Sequence, residues 1–255
     1  MPKGLFIQTC MYISLLFRVN YFFPYICVNP VNQPYSLHKT LTRMSTTRID
    51  PAELWKLKPE ELSATMYNTM FSFINQIYPI SEELEEEIVK NSEIVKFKRG
   101  SIILKHNDIC RYCYFAGCGL ARAYYITDEG EDVSSWFMKE GDIIITVQSF
   151  FDQVPSREEL HALEDTICIG LTHEALQEIY LKFPEFNFVG RVLTQKYYIQ
   201  MEERAFSLRM DSAEEKYLKL EQHSPEIIAR VSLKDIASYL GIAPGTISRI
   251  RTERK

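Results

Sequence analysis

SLKDIASYLGIAPGTISRIR, residues 232–251, is the stretch whose reading decides how this chain ends and what it meets. Ser232 is a good helix N-cap, and Asp235 three residues on has the spacing of a capping box, although an aspartate reaches back less well than a glutamate. Ile236, Ala237 and Leu240 form the inner face of a first helix. Gly241 stands where a tight turn between helices needs a positive φ, and small Ala237 lets a second helix cross closely. Ile242 fills the corner. Pro244 suits the first turn of the second helix, and Ile247 and Ile250 are its inward stripe. These offsets are those of a helix-turn-helix.

Gly245, Thr246, Ser248, Arg249, Arg251 and Thr252 remain outward on the second helix. Such a face can enter a major groove, where Arg pairs with guanine and hydroxyls hold phosphates. A helical hairpin that contacts protein, or a solvated charge run, is the competing reading. The last seven residues, RIRTERK, carry four bases and one acid, which favours DNA. Arg249 is the candidate for a base, with Ser232, Lys234, Thr246 and Ser248 as phosphate or mixed contacts and Arg251 on the same basic stretch.

This basic end belongs to an acidic protein. Over 255 residues, 29 Lys+Arg against 34 Asp+Glu give a net charge of −5, which excludes a uniformly basic nucleic-acid coat. A 46% hydrophobic content at this length excludes disorder, collagen and a disulfide-held mini-protein. Residues 1–43 hold Lys3, Arg18, Lys39 and Arg43 and no acid, so the remaining 212 residues carry −9. Within that first segment, residues 5–28 are dense in apolar and aromatic side chains. Arg18 and Asn20 near their middle and Pro24 argue against a clean membrane span, and no small-residue cleavage site follows. The segment is expected to be an extension outside the fold, such as an upstream start would add, with a membrane anchor as the alternative.

Patterns are helical from Ile49 to Ile88, and Ser81-Glu82-Glu83 starts a helix well. From Ile94 to Thr172 the texture is β-rich, with runs at 102–104, 112–116, 121–126, 133–137 and 143–147 separated by glycine or acidic turns. Strands at this spacing imply an antiparallel sandwich, barrel or compact β-roll. Helical period returns after Thr172, with Leu176, Ile179 and Tyr180 on one side. A long helix is expected from about Glu185 to Met210, where Val192, Ile199 and Phe206 recur every seven residues and would suit a second copy of the chain. Lys196 and Glu203 interrupt its second apolar column.

In this order, the body resembles the Crp/Fnr superfamily of bacterial transcription regulators, in particular its Bacteroidetes-type branch. The resemblance rests on Ile80 to Glu83, Phe97 to Gly100, Trp136 to Asp142, Ala162 to Asp165, Ile236 to Gly241 and Ser248 to Arg251, and it spans roughly residues 66–255. It implies an α+β chain: an antiparallel, cyclic-nucleotide-binding-like β-roll with N-terminal helices over 44–184, a dimerisation helix over 185–210 and a helix-turn-helix domain over 211–255. The implied partners are double-stranded operator DNA, a second copy of the chain in a homodimer, and RNA polymerase. It also implies a cytoplasmic location without a membrane partner. A small-molecule effector is unidentified or absent.

The effector cassette departs from that pattern. Ile145-Thr146-Val147 replaces the Gly-Glu-Leu that holds ribose in cyclic-nucleotide binders, and Ser156-Arg157-Glu158 falls where Arg-Ser-Ala would stand. Arg157 is one position off, which on a strand reverses its side chain, and Glu158 and Glu159 would repel a phosphate. Thr146, Val147, Ser156 and Arg157 are the candidate pocket residues of a degenerate cassette. On the DNA side, Pro244 and Gly245 replace the Arg and Glu that some members place at the start of the recognition helix, and the chain ends without a β-hairpin wing. A cyclic-nucleotide or other small-ligand sensor acting on a protein partner is the alternative.

Cys110, Cys113 and Cys118 invite an iron-sulfur reading. Strand geometry would send side chains three apart to opposite faces, so these and Cys168 are expected to be structural thiols. His106, His161 and His173 are scattered, with no H-x-H pair and no phosphate loop or nucleophile elbow nearby. No metal, cofactor or catalytic residue is expected.

Overall fold

In the computed structural model, residues 51–253 are described, and the readings made for residues 1–43 fall outside them, as do Arg254 and Lys255. The described residues begin with three helices, α1 (Pro51–Leu54), α2 (Pro59–Ile77) and α3 (Glu82–Asn91). Ser81 caps α3 by accepting from the Leu84 N–H at 3.4 Å, with Glu82, Glu83 and Glu85 in the first turn. Met66, Phe73 and Ile74 of α2 are buried. The Phe73 ring meets Phe115 at 5.5 Å, which seats the helix on the roll.

Eight strands follow: β1 (Ser92–Phe97), β2 (Ile102–Leu104), β3 (Tyr112–Cys118), β4 (Ala121–Ile126), β5 (Asp132–Met138), β6 (Ile143–Ile144), β7 (Glu158–Ala162) and β8 (Thr166–Thr172). They form two antiparallel four-stranded sheets, ordered β1-β8-β3-β6 and β2-β7-β4-β5. Ala116, Ala121, Ala123, Met138, Ile144, Leu160 and Cys168 fill the space between them. The small side chains allow close approach, as inward faces of a compact roll require.

The run expected to be a strand over 143–147 divides. Only Ile143 and Ile144 pair, with Phe115 and Tyr114, and the chain then turns into helix α4 (Val147–Asp152). An apolar run has no period that separates a short strand from a short helix. Phe150 of α4 is fully buried, whereas Val147 and Phe151 are exposed.

After β8 come α5 (His173–Lys182) and the long α6 (Pro184–Met210). Thr172 caps α5 and Leu176 and Ile179 are its buried stripe. The expected seven-residue seam of α6 is split. Val192 is buried in its own chain, whereas Ile199 and Phe206 are exposed. Lys196 turns inward to Asp142 at 3.9 Å, and Tyr197 Oη accepts from the Ile143 N–H at 3.0 Å, so this side of α6 lies against the roll. Four short helices complete the chain: α7 (Ala213–His223), α8 (Pro225–Arg230), α9 (Leu233–Leu240) and α10 (Pro244–Glu253). Among the described residues no helix is long and apolar enough to cross a membrane.

Candidate nucleic-acid interface

Helices α9 and α10 arise from strictly local signals. Ser232 Oγ accepts from the Asp235 N–H at 3.1 Å and caps α9. The Asp235 carboxylate does not close a capping box: it takes the Ser232 hydroxyl at 2.7 Å and the guanidinium of Arg122, a partner 113 residues away. Gly241 has φ +64° and ends α9, and the Ile242 N–H returns to the Ala237 carbonyl at 3.0 Å. A side chain would be strained there by the backbone alone, since its Cβ would meet Leu208 Cδ2 at an ordinary 3.7 Å. Ile236, Ala237, Leu240, Ile247 and Ile250 are buried together and fix the two helices to α7 and α8 through Tyr217, Ile227 and Val231.

The outer face of α10 carries Gly245, Ser248, Arg249 and Thr252, all exposed, with Thr246 partly so. Arg249 is 71% exposed, and among the described residues its ion pair is a loose 3.9 Å contact to Glu253. Ser232 and Lys234 are exposed at the start of α9. Arg251 does not share this open face. Its Nε donates to Tyr217 Oη at 2.9 Å and its guanidinium lies 5.5 Å from that ring, so it braces α10 on α7. Residue 251 follows Ile250 and faces the helix pair's own core margin.

Residues that the sequence reading did not single out join this helix pair to the roll. Arg122 of β4 is 5% exposed and pairs with Asp132 at 2.6 Å and with Asp235. The Ser134 N–H donates to Ser238 Oγ at 2.9 Å, and that hydroxyl donates to the Asp132 carbonyl at 3.3 Å. Lys234 Nζ lies 3.3 Å from Asp132. Arg230 is clasped by Glu140 and Glu164, and Lys139 pairs with Glu226. Leu120 and Phe137 of the roll belong to the same buried cluster as Ile236 and Leu240. On α6, Arg204 stacks 3.7 Å from the Tyr239 ring and donates to its carbonyl. Glu140 and Glu164 lie in two stretches that carried the family resemblance, the one available signal; nothing local points to Arg122.

Two of the four cassette residues come together and two do not. Thr146 and Ser156 are buried and bond each other at 3.3 Å, and Ser156 Oγ also donates to the Glu158 carbonyl. Val147 is 62% exposed as the first residue of α4, and Arg157 points to solvent while its carbonyl meets His106. Two residues before buried Leu160, Glu158 shares its inward strand face and takes the Ser135 hydroxyl at 2.5 Å.

The four cysteines among the described residues are free, with Cys110, Cys118 and Cys168 buried. Burial pushes the Cys113 thiol up to about 12 and the Cys118 thiol up to about 11, so both stay protonated at neutral pH. Among the described residues no group of three His, Cys, Asp or Glu is placed to hold a metal ion.

Comparison with known proteins fits this architecture. Residues 94–183 match the family model of the cyclic nucleotide-binding domain. FixK2 from Bradyrhizobium japonicum is similar in structure, at 19% identity over 64% of this chain and 83% of that one, with a TM-score of 0.52. The c-di-GMP responsive global regulator CLP of Xanthomonas campestris aligns with TM-score 0.55, at 13% identity over 68% of this chain and 91% of that one. A protein from Eubacterium rectale described as a transcriptional regulator of the Crp/Fnr family gives 0.54, at 17% identity and 68% and 83% coverage. No curated protein matches the chain in sequence. The chain therefore has a cyclic nucleotide-binding-type domain within the fold of Crp/Fnr regulators.

Proposed function

We propose that this chain, with its cyclic nucleotide-binding-type roll in a Crp/Fnr fold, is a homodimeric transcription regulator that reads a roughly palindromic operator. The observation that carries the reading is the open polar face of α10, where Arg249 stands largely exposed beside Ser248 and Thr246. Arg249 reads a base edge and Ser232, Lys234, Thr246 and Ser248 meet phosphates. Dimerisation runs through α6, whose C-terminal half exposes Tyr198, Ile199, Met201, Phe206 and Leu208. One isolated exposed apolar residue is ordinary, but five along two to three turns of one helix call for cover.

The roll is read as a sensory or scaffolding module rather than an enzyme. Cyclic AMP and cyclic GMP are not its ligands, because Glu158 faces inward and Arg157 outward. A mobility-shift assay of the full chain against a genomic fragment library tests the assignment. Site-selective binding that weakens with salt and loses selectivity in Arg249→Ala is expected; selective binding unchanged by that substitution removes the base-reading role. Titration calorimetry with both cyclic nucleotides is expected to give no tight binding, and tight binding would favour the ligand-sensor alternative.

A further inference from the structure

Resting on the DNA-reading assignment above, we propose that Glu253 is a specificity-determining residue that acts through Arg249. Paired with that guanidinium on the outer face of α10, it leaves a contact to a guanine edge open and weakens a contact to phosphate. Glu253 stands one helical turn after Arg249, and its Oε1 lies 3.9 Å from the Arg249 Nε. Both side chains are largely exposed, Glu253 at 68%. Glu253 is also the single acid in the last seven residues, RIRTERK. A carboxylate there works against phosphate binding, and an exposed pair four residues apart gains the helix little.

Among the described residues, the rest of this face is occupied elsewhere. Ser248 Oγ donates to the Pro244 carbonyl at 3.5 Å and Thr252 Oγ1 donates to the Ser248 carbonyl at 2.9 Å, so both hydroxyls return to the helix's own backbone. Arg251, the next cation, is held by Tyr217. Pro244 and Gly245 bring no charge to the start of the helix. The exposed charge of α10 is therefore one cation and one anion, a turn apart on one side.

A phosphate and a guanine edge ask different things of an arginine. The phosphate is an ion, attracted by net charge at any sequence, whereas guanine O6 and N7 are neutral acceptors that need two N–H groups in one plane. A carboxylate beside the guanidinium cancels much of its charge but leaves the donors that it does not touch. The approach of Glu253 is to Nε, so both Nη groups remain to fork onto guanine. An Arg249–phosphate contact thus loses more attraction than an Arg249–guanine contact, and that difference is selectivity.

The test uses the full chain and two labelled duplexes, one enriched by the native chain from a randomised pool and one of random sequence, each titrated at several salt concentrations. Glu253→Gln alters an exposed side chain and should melt near the native temperature. It should bind the random duplex about three- to tenfold tighter, with a log–log salt slope steeper by up to about one, and lower the ratio of enriched to random affinity by a similar factor. Glu253→Asp keeps the charge and should stay near the native chain on the random duplex. In an Arg249→Ala background, Glu253→Gln should leave the ratio unchanged. An equal gain on both duplexes, or the same gain on the random duplex with Arg249 already removed, would overturn the assignment and leave the DNA reading standing, since Glu253 would then be a general repulsive charge. A native chain that enriches no sequence would overturn the DNA reading, and this assignment with it.

Discussion

Arg230 of α8 and Glu140 at the end of β5 form a two-bond fork, with Nη1 2.8 Å from Oε2 and Nη2 2.9 Å from Oε1. The same guanidinium takes Glu164 from the β7–β8 turn, and Glu140 also accepts from the Gly119 N–H. Three separate turns of the roll are thereby gathered around one side chain of the C-terminal helices. Arg suits this position because its fixed fork matches two carboxylates at once.

Arg230→Met should destabilise the chain by about 3 kcal/mol, because Glu140, only 6% exposed, would be left buried without its cation; Glu164, 24% exposed, is partly relieved by water. Adding Glu140→Gln should recover part of the loss. Urea denaturation of the single and double variants checks this, and equal midpoints for the two would contradict it.

Acid should loosen the docked helices. Burial alone would raise the carboxyls of Glu140 and Asp132, but hydrogen bonds from Arg230 and Arg122 outweigh it and hold both below their ordinary range. A carboxyl lowered in the folded state contributes its full stability above the unfolded value, about 4, and loses it as pH falls toward the lowered one. Hydrogen-exchange protection of α9 and α10 should be constant from neutrality to about pH 5 and fall below about pH 4. Protection that instead declines as pH rises would carry the wrong sign.

Gly241→Ala should cost about 1–2 kcal/mol, since a Cβ at φ +64° is strained although nothing crowds it. Asn tolerates that conformation better, so Gly241→Asn should cost less. Thermal melting of both variants orders them.

Arg249 and Arg251 stand two residues apart and should behave differently. Arg249→Ala should leave stability unchanged and reduce discrimination at one base pair by about 1–3 kcal/mol. Arg251→Ala should lower stability by about 1 kcal/mol through loss of its bond to Tyr217, with selectivity retained. Melting curves paired with selection from a randomised operator pool separate the two effects.

Ile199→Glu/Phe206→Glu on α6 should yield a folded monomer by sedimentation equilibrium. Both residues are exposed in the single chain, so the secondary structure should survive by circular dichroism. A dimer that persists would move the contact elsewhere.

The elements most legible in sequence are those coded by neighbours. Ser232, Gly241 and Pro244 mark the ends of α9 and α10 within one turn of each boundary, and Thr172 marks α5. Strands β7 and β8 carry no such mark. Thr166 to Leu171 of β8 are all buried because β8 lies between β1 and β3 and is covered on both faces, so the alternation that betrays a strand is missing. The candidate reading face was legible because it depends on helical spacing alone. The ion pairs that dock it were not, because Arg122 and Asp235, or Arg230 and Glu140, meet only after both sheets have formed. Val192 shows the same limit: its seven-residue spacing fits Ile199 and Phe206, yet it is buried within its own chain, where α6 packs on α2 and α5.

Leu120 and Phe137 lie in strand and turn segments of the roll but are covered by Tyr217, Ile227 and Leu240 from the C-terminal helices. The helix pair is therefore not a portable head. Severed after Asp211 and grafted to another sensor, it would carry a raw apolar facet, and the roll left behind would keep a matching one. A chimaera built from this chain would need a replacement surface shaped like β4 and β5, or polar substitutions at both residues, before either half could be handled in water as a free-standing piece.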